Sequence, residues 1–321
     1  MTIDTLKEVL ANEYVQTAIT IILTIVLVFV FWFGLQLALN TRNPVSAVVS
    51  TSMLPTLNVG DLIVIQGVDP SELNAQYITG DIVVFEHPTR GEPIVHRAVK
   101  LEERSDGYWI TTHGDNNRPS EEQFHESFLI GKVIAKIPYI GNITLFLQTL
   151  GDIYFYIVII IIVITIILSF SLGSDSEEKS AEKHQTHEKR RLFGKLSAKT
   201  IYVLIQNLLI TSFLLFNLWG TFTFWQPGAD PSQDVTIRGM YSDLQYHAFD
   251  EDFKKYYNNI SEAYLSQGFL TYEIDCLVGN AVRPGVPTFS WLQASVLALF
   301  ILNIWTIIPF LKILRKTENK N

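Results

Sequence analysis

Ser52 stands in the stretch VVSTSMLPTLNVGD, residues 48–61, with Met53 beside it, Pro55 soon after and Gly60-Asp61 closing the run. A serine hydroxyl is a weak nucleophile until a neighbouring base takes its proton. Downstream the chain offers His87, His96, His113 and His125, and the amines of Lys100, Lys132 and Lys136, as such a base. In PIVHRAV, residues 93–99, strand alternation puts Ile94, His96 and Ala98 on one face and Val95, Arg97 and Val99 on the other. An imidazole among small and apolar neighbours is held neutral, which a general base near pH 7 requires. His87 precedes a proline at a turn. HGDNN sets Asp115 in a tight polar turn, where an acid either orients an imidazole or caps the local backbone. The residues alone leave both readings open. They equally leave Ser52 as a loop serine and His96 as a satisfied core histidine.

The elements that must carry these groups are strands. DLIVIQ (61–66), DIVVFE (81–86), PIVHRAV (93–99), YWITTH (108–113) and FLIGKVIAKI (128–137) are rich in β-branched and aromatic residues, with Gly-Asp, Pro-Thr-Arg-Gly and Ser-Asp-Gly turns between them. Short strands at this spacing predict a small, β-rich, coiled-barrel-like domain over residues 40–152.

On either side of that domain the pattern becomes membrane-spanning. The chain is 48% hydrophobic and only 17% charged, against about 25% charge in average globular domains. A helix crosses the bilayer core with about 20 apolar residues, and four segments qualify: 18–39, 153–172, 201–225 and 291–314. The first is a retained anchor rather than a cleaved leader, being too long and lacking a basic flank. Gln206, Asn207 and Asn217 in the third span and Gln293 and Asn303 in the fourth predict hydrogen bonds between helices. No ionisable residue sits at mid-span, which argues against a transport path. The expected fold class is thus a multi-pass membrane protein with four transmembrane helices.

Lysine and arginine set the orientation. The charged linker 173–200 and the tail 315–321 are basic and predicted cytoplasmic, as is the N-terminal tail 1–17. The segments 40–152 and 226–290 then face outside, the second as an acidic accessory domain of mixed or helical structure. The sequons Asn142-Ile-Thr and Asn259-Ile-Ser both fall outside. Residues 243–267 read as an amphipathic helix near the interface, with His247, Asp243 and Asp250 on a solvated face.

Other chemistries are disfavoured. A net charge of -8 without a basic stripe argues against a nucleic-acid partner. Cys276 is the single cysteine, which excludes an internal disulfide framework and a multi-thiolate zinc site. The histidines lack metal-binding spacing; His184 and His187 come closest, inside the charged linker. No metal and no cofactor are expected.

Ser52-Met53-Leu54-Pro55, Gly60-Asp61, GDIVVF (80–85), HRAV (96–99) and GDNN (114–117) occur in this order after an apolar anchor. Together they resemble the type I signal peptidase family, in its archaeal and endoplasmic-reticulum branch, over residues 18–150. Bacterial members place a lysine where this chain has His96. The resemblance implies a membrane-bound serine endopeptidase that removes signal peptides from exported preproteins after small residues. Ser52 would be its nucleophile and His96 its general base. The family's acidic element implies Asp115, together with a second Asp a few residues later, where this sequence has Glu121 followed by Glu122. The resemblance thus implies Asp115 as the orienting acid, with Glu121 as the alternative.

Met53 and Pro55 are expected at the substrate pocket, and Ser50 at the oxyanion. The substrate would bind as an added strand. Expected partners are preprotein signal peptides and membrane lipid, with the translocon as a candidate. The expected location is an archaeal plasma membrane or the endoplasmic reticulum membrane, with the catalytic domain on the extracytoplasmic face. The alternative is a non-catalytic scaffold subunit of a processing or translocation complex, which intact Ser52, His96 and Asp115 argue against. Residues 173–321 lie beyond the resemblance; a fused accessory module is the simplest reading of them.

Overall fold

The computed structural model describes residues 12–116, 122–149, 191–192, 196–225, 234–249 and 260–318. The predicted second span, 153–172, Glu121 and most of the charged linker lie outside the described residues.

Helix α1 (Glu13–Ala38) carries the first apolar segment, with long side chains such as Leu27, Phe31 and Phe33 exposed along it. It leads within a few residues into β1 (Val45–Ala47). Then come β2 (Leu62–Gln66), β3 (Ile82–Glu86), β4 (Pro93–Arg104), β5 (Gly107–His113), β6 (Glu122–His125) and β7 (Leu129–Ile137). All five strands expected from sequence are present, with β1 and β6 in addition. The β4–β5 hairpin turns at Ser-Asp-Gly, where Gly107 adopts φ +124°, a conformation open to residues without a Cβ.

Helix α2 (Gly141–Thr149) follows. The two-residue strands β8 (Arg191–Leu192) and β9 (Leu196–Ser197) pair before helix α3 (Ala198–Trp219). The sequence expectation carried the third span to 225. The helix instead ends at Trp219, and β10 (Thr221–Trp225) pairs with β11 (Asp234–Arg238). Gly220 breaks the helix, and the alternating Thr-Phe-Thr-Phe run after it suits a strand. Helix α4 (Met240–Phe249), strands β12 (Ile260–Gln267), β13 (Thr271–Val278), β14 (Ala281–Arg283) and β15 (Thr288–Phe289), and helix α5 (Trp291–Glu318) complete the chain. The amphipathic helix read over 243–267 is therefore cut short: its last third is β12.

Residues 260–289 form no separate unit. β13 pairs with β15, β15 runs parallel to β7, and one sheet continues in the order β12-β13-β15-β7-β3-β4-β5-β6, with β2 joining β7 to β1. Burial alternates strictly along β13: Tyr272, Ile274, Cys276 and Val278 point inward. One core cluster joins Val48, Met53, Leu57, Ile63, Ile65, Ile82 and Val84 to Val286 of the later segment. A second holds Leu73, Val83, Phe85, Ala98, Ile110 and Phe124, with the Phe85 and Phe124 rings stacked 4.0 Å apart.

Two described helices are long and apolar enough to cross a membrane, over Ile201–Trp219 and Trp291–Ile308. They touch through the predicted amides: Asn303 Nδ2 donates to Asn207 Oδ1 at 2.8 Å. Both are tied to the end of β7. Tyr139 donates to Asn217 Oδ1 at 3.2 Å, and Trp291 Nε1 donates to the Pro138 carbonyl at 3.1 Å. Both amide atoms of Asn142 are buried, so that sequon is closed to glycosylation in the folded chain; Asn259 lies outside the described residues.

Candidate active site

The Ser52 loop is fixed at its ends by the Gly-Asp turn. The Val48 amide donates to the Asp61 carbonyl and the Gly60 amide donates to the Val48 carbonyl, each at 2.9 Å. Between these ties Met53 and Leu57 are fully buried and Pro55 is buried, so they anchor the loop in the core. Met53 and Pro55, both expected at the substrate pocket, are thus packed into the barrel. The Ser52 side of the turn stays half-exposed.

Ser52 Oγ lies 3.2 Å from His96 Nε2 and 3.1 Å from Ser50 Oγ. His96 sits on the β4 face that carries Ile94 and Ala98, as alternation required, and Val83 of β3 is its register partner. Burial lowers its pKa below the ordinary histidine range, and His113 pushes the same way; the charges of Glu122 and Asp115 oppose the shift in part. The ring is thus neutral near pH 7, with Nε2 placed to accept a proton from Ser52.

The other candidate bases lie elsewhere. His87 Nδ1 is engaged by Thr89 in an exposed turn, His113 packs on Tyr77, and His125 caps the turn at Ser127. Lys100 pairs with Glu102, and Lys132 with Asp81. Lys136 is buried; its Nζ donates to the Thr56 carbonyl at 2.9 Å and lies 3.5 Å from Asp61.

Asp115 is fully buried and is not hydrogen-bonded to His96. It accepts from Arg97 Nε and Nη2, both at 3.0 Å, from Thr56 Oγ1 at 2.5 Å, and pairs with Arg283 of β14. Burial would raise its pKa, but the two guanidiniums outweigh that and hold the carboxylate ionised far into acid. The next residue clips the Ser52 loop directly: the Asn116 amide donates to the Ser52 carbonyl at 2.8 Å, and Asn116 Nδ2 donates to the Thr51 carbonyl at 3.1 Å.

Glu122, named from sequence only as the neighbour of Glu121, exerts the largest charge effect on His96. Its Oε2 and the His96 Nδ1 are both buried and, among the described residues, have no hydrogen-bond partner. Glu122 starts β6 opposite Thr112 of β5 and shares its face with the core residue Phe124. That alternation in EQFH was the available signal. The substitute acid read from sequence, Glu121, lies outside the described residues.

Asp243 and His247 also depart from expectation. Both are buried, because α4 packs on α3, β12 and β13 and turns this face inward. His247 Nδ1 donates to the Asp243 carbonyl at 2.8 Å, and Asp243 lies 3.3 Å from Arg238. Burial pushes the His247 pKa down to about 4.

Beside the nucleophile loop a cleft of about 600 Å³ opens between Thr51, Leu54 and Asn58 on one wall and Arg238, Ser242 and Tyr246 on the other. β1, which leads into Val49, Ser50 and Ser52, pairs with β2 alone among the described strands, leaving one edge open.

Residues 12–102 match the family described as signal peptidase, peptidase S26. The signal peptidase complex catalytic subunit sec11 of Dictyostelium discoideum is 28% identical over 156 residues, 46% of this chain and 84% of that protein. The subunits of the same name from Colletotrichum graminicola and Lachancea thermotolerans are 33% and 32% identical over 128 and 131 residues. Each match takes in 37% of this chain, and 73% and 75% of those proteins respectively.

Proposed function

Because the chain belongs to the signal peptidase family, peptidase S26, we propose that it is a membrane-bound serine endopeptidase that cleaves signal peptides from exported preproteins, with Ser52 and His96 as its reacting pair. The observation that carries the reading is the 3.2 Å contact between Ser52 Oγ and the His96 Nε2 of a buried imidazole.

The substrate adds as an extended strand at the open edge of β1, where main-chain hydrogen bonds supply affinity. Its scissile carbonyl then lies at Ser52. His96 Nε2 takes the hydroxyl proton as Oγ attacks, forming the tetrahedral intermediate. The Ser50 hydroxyl and nearby backbone N–H groups stabilise the oxyanion. Glu122 exerts the largest charge effect on His96, and it is the acid we assign to stabilise the imidazolium and orient Nδ1. Asp115 keeps the supporting role its partners give it, anchoring the loop through Thr56 and Arg97. His96 returns the proton to the leaving amine, and water, activated by the same imidazole, releases the acyl-enzyme.

We assign four spans, at 18–39, 153–172, 201–219 and 291–314, with the sheet on the extracytoplasmic face. The short link from α1 to β1 supports a position for Ser52 near the bilayer surface, where a signal peptide ends. The relatives are named as catalytic subunits of a signal peptidase complex, and we infer association with an endoplasmic-reticulum-type or archaeal plasma membrane, with lipid and the translocon as neighbours. The scaffold alternative has no observation in its favour.

The test is cleavage of a preprotein by the purified wild type, Ser52→Ala and His96→Ala, with the new N-terminus read by mass spectrometry. Cutting after a small residue by the wild type alone is expected. Each variant should lose about 10⁶-fold in kcat, and the double variant little more, since the two residues act as a unit. Full-rate cleavage by Ser52→Ala would overturn the mechanism.

A further inference from the structure

Asp115 is held from two directions. Arg97 comes from β4, one residue after His96. Arg283 comes from the end of β14, in the half of the chain beyond the stretches that match the family. Both arginine side chains are 2% exposed and the aspartate 0%. The carboxylate in turn accepts from Thr56, and its neighbour Asn116 grips the Ser52 and Thr51 carbonyls.

The segment after Arg283 is equally built in. Gly285 N–H donates to Asp275 Oδ1 at 2.9 Å, Val286 fills the core cluster that holds Met53 and Leu57, and the Lys136 amide donates to the Pro287 carbonyl at 2.8 Å. Lys136 is the residue whose Nζ holds the Thr56 carbonyl. Thr56 is thus fixed at its hydroxyl and at its carbonyl by groups that residues 283–288 support. A chain of short, buried contacts runs from Arg283 through Asp115 and Asn116 to the nucleophile.

We propose that Arg283 is a positioning residue of the Ser52–His96 site, so that β13–β15 are an obligatory part of the catalytic unit rather than a detachable accessory. This rests on the peptidase reading. Arg97 cannot substitute for Arg283, because its Nη1 is committed to the Gly80 carbonyl at 2.7 Å and it covers one flank of the carboxylate. Without Arg283 the other flank faces a buried void of charge, the Asp115–Asn116 turn loosens, and the Ser52 carbonyl moves with it. A displacement near 1 Å at reacting atoms costs about 10²-fold in rate.

The experiment uses the full-length chain in detergent with a preprotein substrate, comparing wild type with Arg283→Gln, Arg283→Lys, Asp115→Asn and the Arg283→Gln/Asp115→Asn double variant. The expected result is a kcat loss of about 10²-fold in Arg283→Gln at nearly unchanged KM. In the Asp115→Asn background the same substitution should cost less than about threefold, because the arginine acts through the carboxylate. If Arg283→Gln does not fold, Arg283→Lys carries the test: it keeps the charge but not the planar fork, and should fold and lose several-fold in kcat with KM unmoved. A folded Arg283→Gln at wild-type kcat overturns the proposal, as does a loss that persists in full without Asp115, or a lysine variant at full kcat when the glutamine variant is unfolded. A wild type that cleaves no preprotein sinks the peptidase reading instead, and the two failures are thereby distinct.

Discussion

Replacing Asp115 by asparagine separates an acid that orients His96 from one that anchors the loop. The structure gives Asp115 three charged or polar neighbours, Arg97, Arg283 and Thr56, in a site closed to water. Removing one partner of a buried ion pair costs about 3–5 kcal/mol, because the other charge stays buried without compensation. Asparagine keeps the shape and still accepts from Thr56, so the lower end applies, about 3 kcal/mol, or roughly 10²-fold in the folded-to-unfolded ratio. Asp115→Ala opens a void as well and belongs at the upper end, about 5 kcal/mol. The sign with pH follows from the depressed pKa. A carboxylate held below its unfolded value stabilises the fold at all pH above about 4 and loses that contribution as pH falls through its folded pKa. The gap between wild type and Asp115→Asn should therefore stay constant from pH 5 to 8, figures set by about one unit above the ordinary carboxylate value, and close only in strong acid. Denaturant melts of the full chain in detergent, followed by tryptophan fluorescence, measure it. An Asp115→Asn protein within about 0.5 kcal/mol of wild type yet crippled in kcat would refute the reasoning, since the carboxylate would then act on the imidazole and not on the fold.

The pH–rate profile of kcat/KM should hold its plateau from neutrality downward and fall only below about pH 6.5, because the His96 pKa is lowered by burial; an acid limb above pH 7 contradicts the assignment. Glu122→Gln removes the charge that most opposes this shift, so its limb should move further into acid while kcat drops, and an unmoved limb counts against Glu122 as the orienting acid. Ser50→Ala should cost about 10²-fold in kcat if its hydroxyl serves the oxyanion, with KM and melting behaviour unchanged; a wild-type rate removes Ser50 from the mechanism. Asn303→Leu breaks the amide contact to Asn207 and should cost about 0.6 kcal/mol in detergent unfolding, with cleavage unaffected.

The strands around His96 were legible because their signals are local. Alternation and turn residues define β2 to β5 and β7 without reference to anything distant, and alternation alone put His96 on its correct face. Apart from the end of the third span, where Gly220 was a local signal, the failures are matters of partnership across long separations. The TYEIDCLV run of β13 alternates as clearly as any strand in the first domain, yet nothing local says that it joins the sheet of β7, so the acidic loop read as a domain of its own. The same gap misplaced Asp243 and His247: a charged helix face reads as solvated until a second helix and a sheet are known to cover it.

The acid shows what such partnership adds. The family resemblance pointed to Asp115 and Glu121, both counted along the chain. The strand counts in twos across the sheet, and from Phe124, whose ring is sealed against Phe85, the inward-facing neighbour is Glu122. On the proposed assignment, an aromatic residue in the core, two positions away, sets the face of the acid through the pleat of β6. The same assignment makes Phe124 a lever on His96: a change that shifts its ring shifts the strand that carries Glu122.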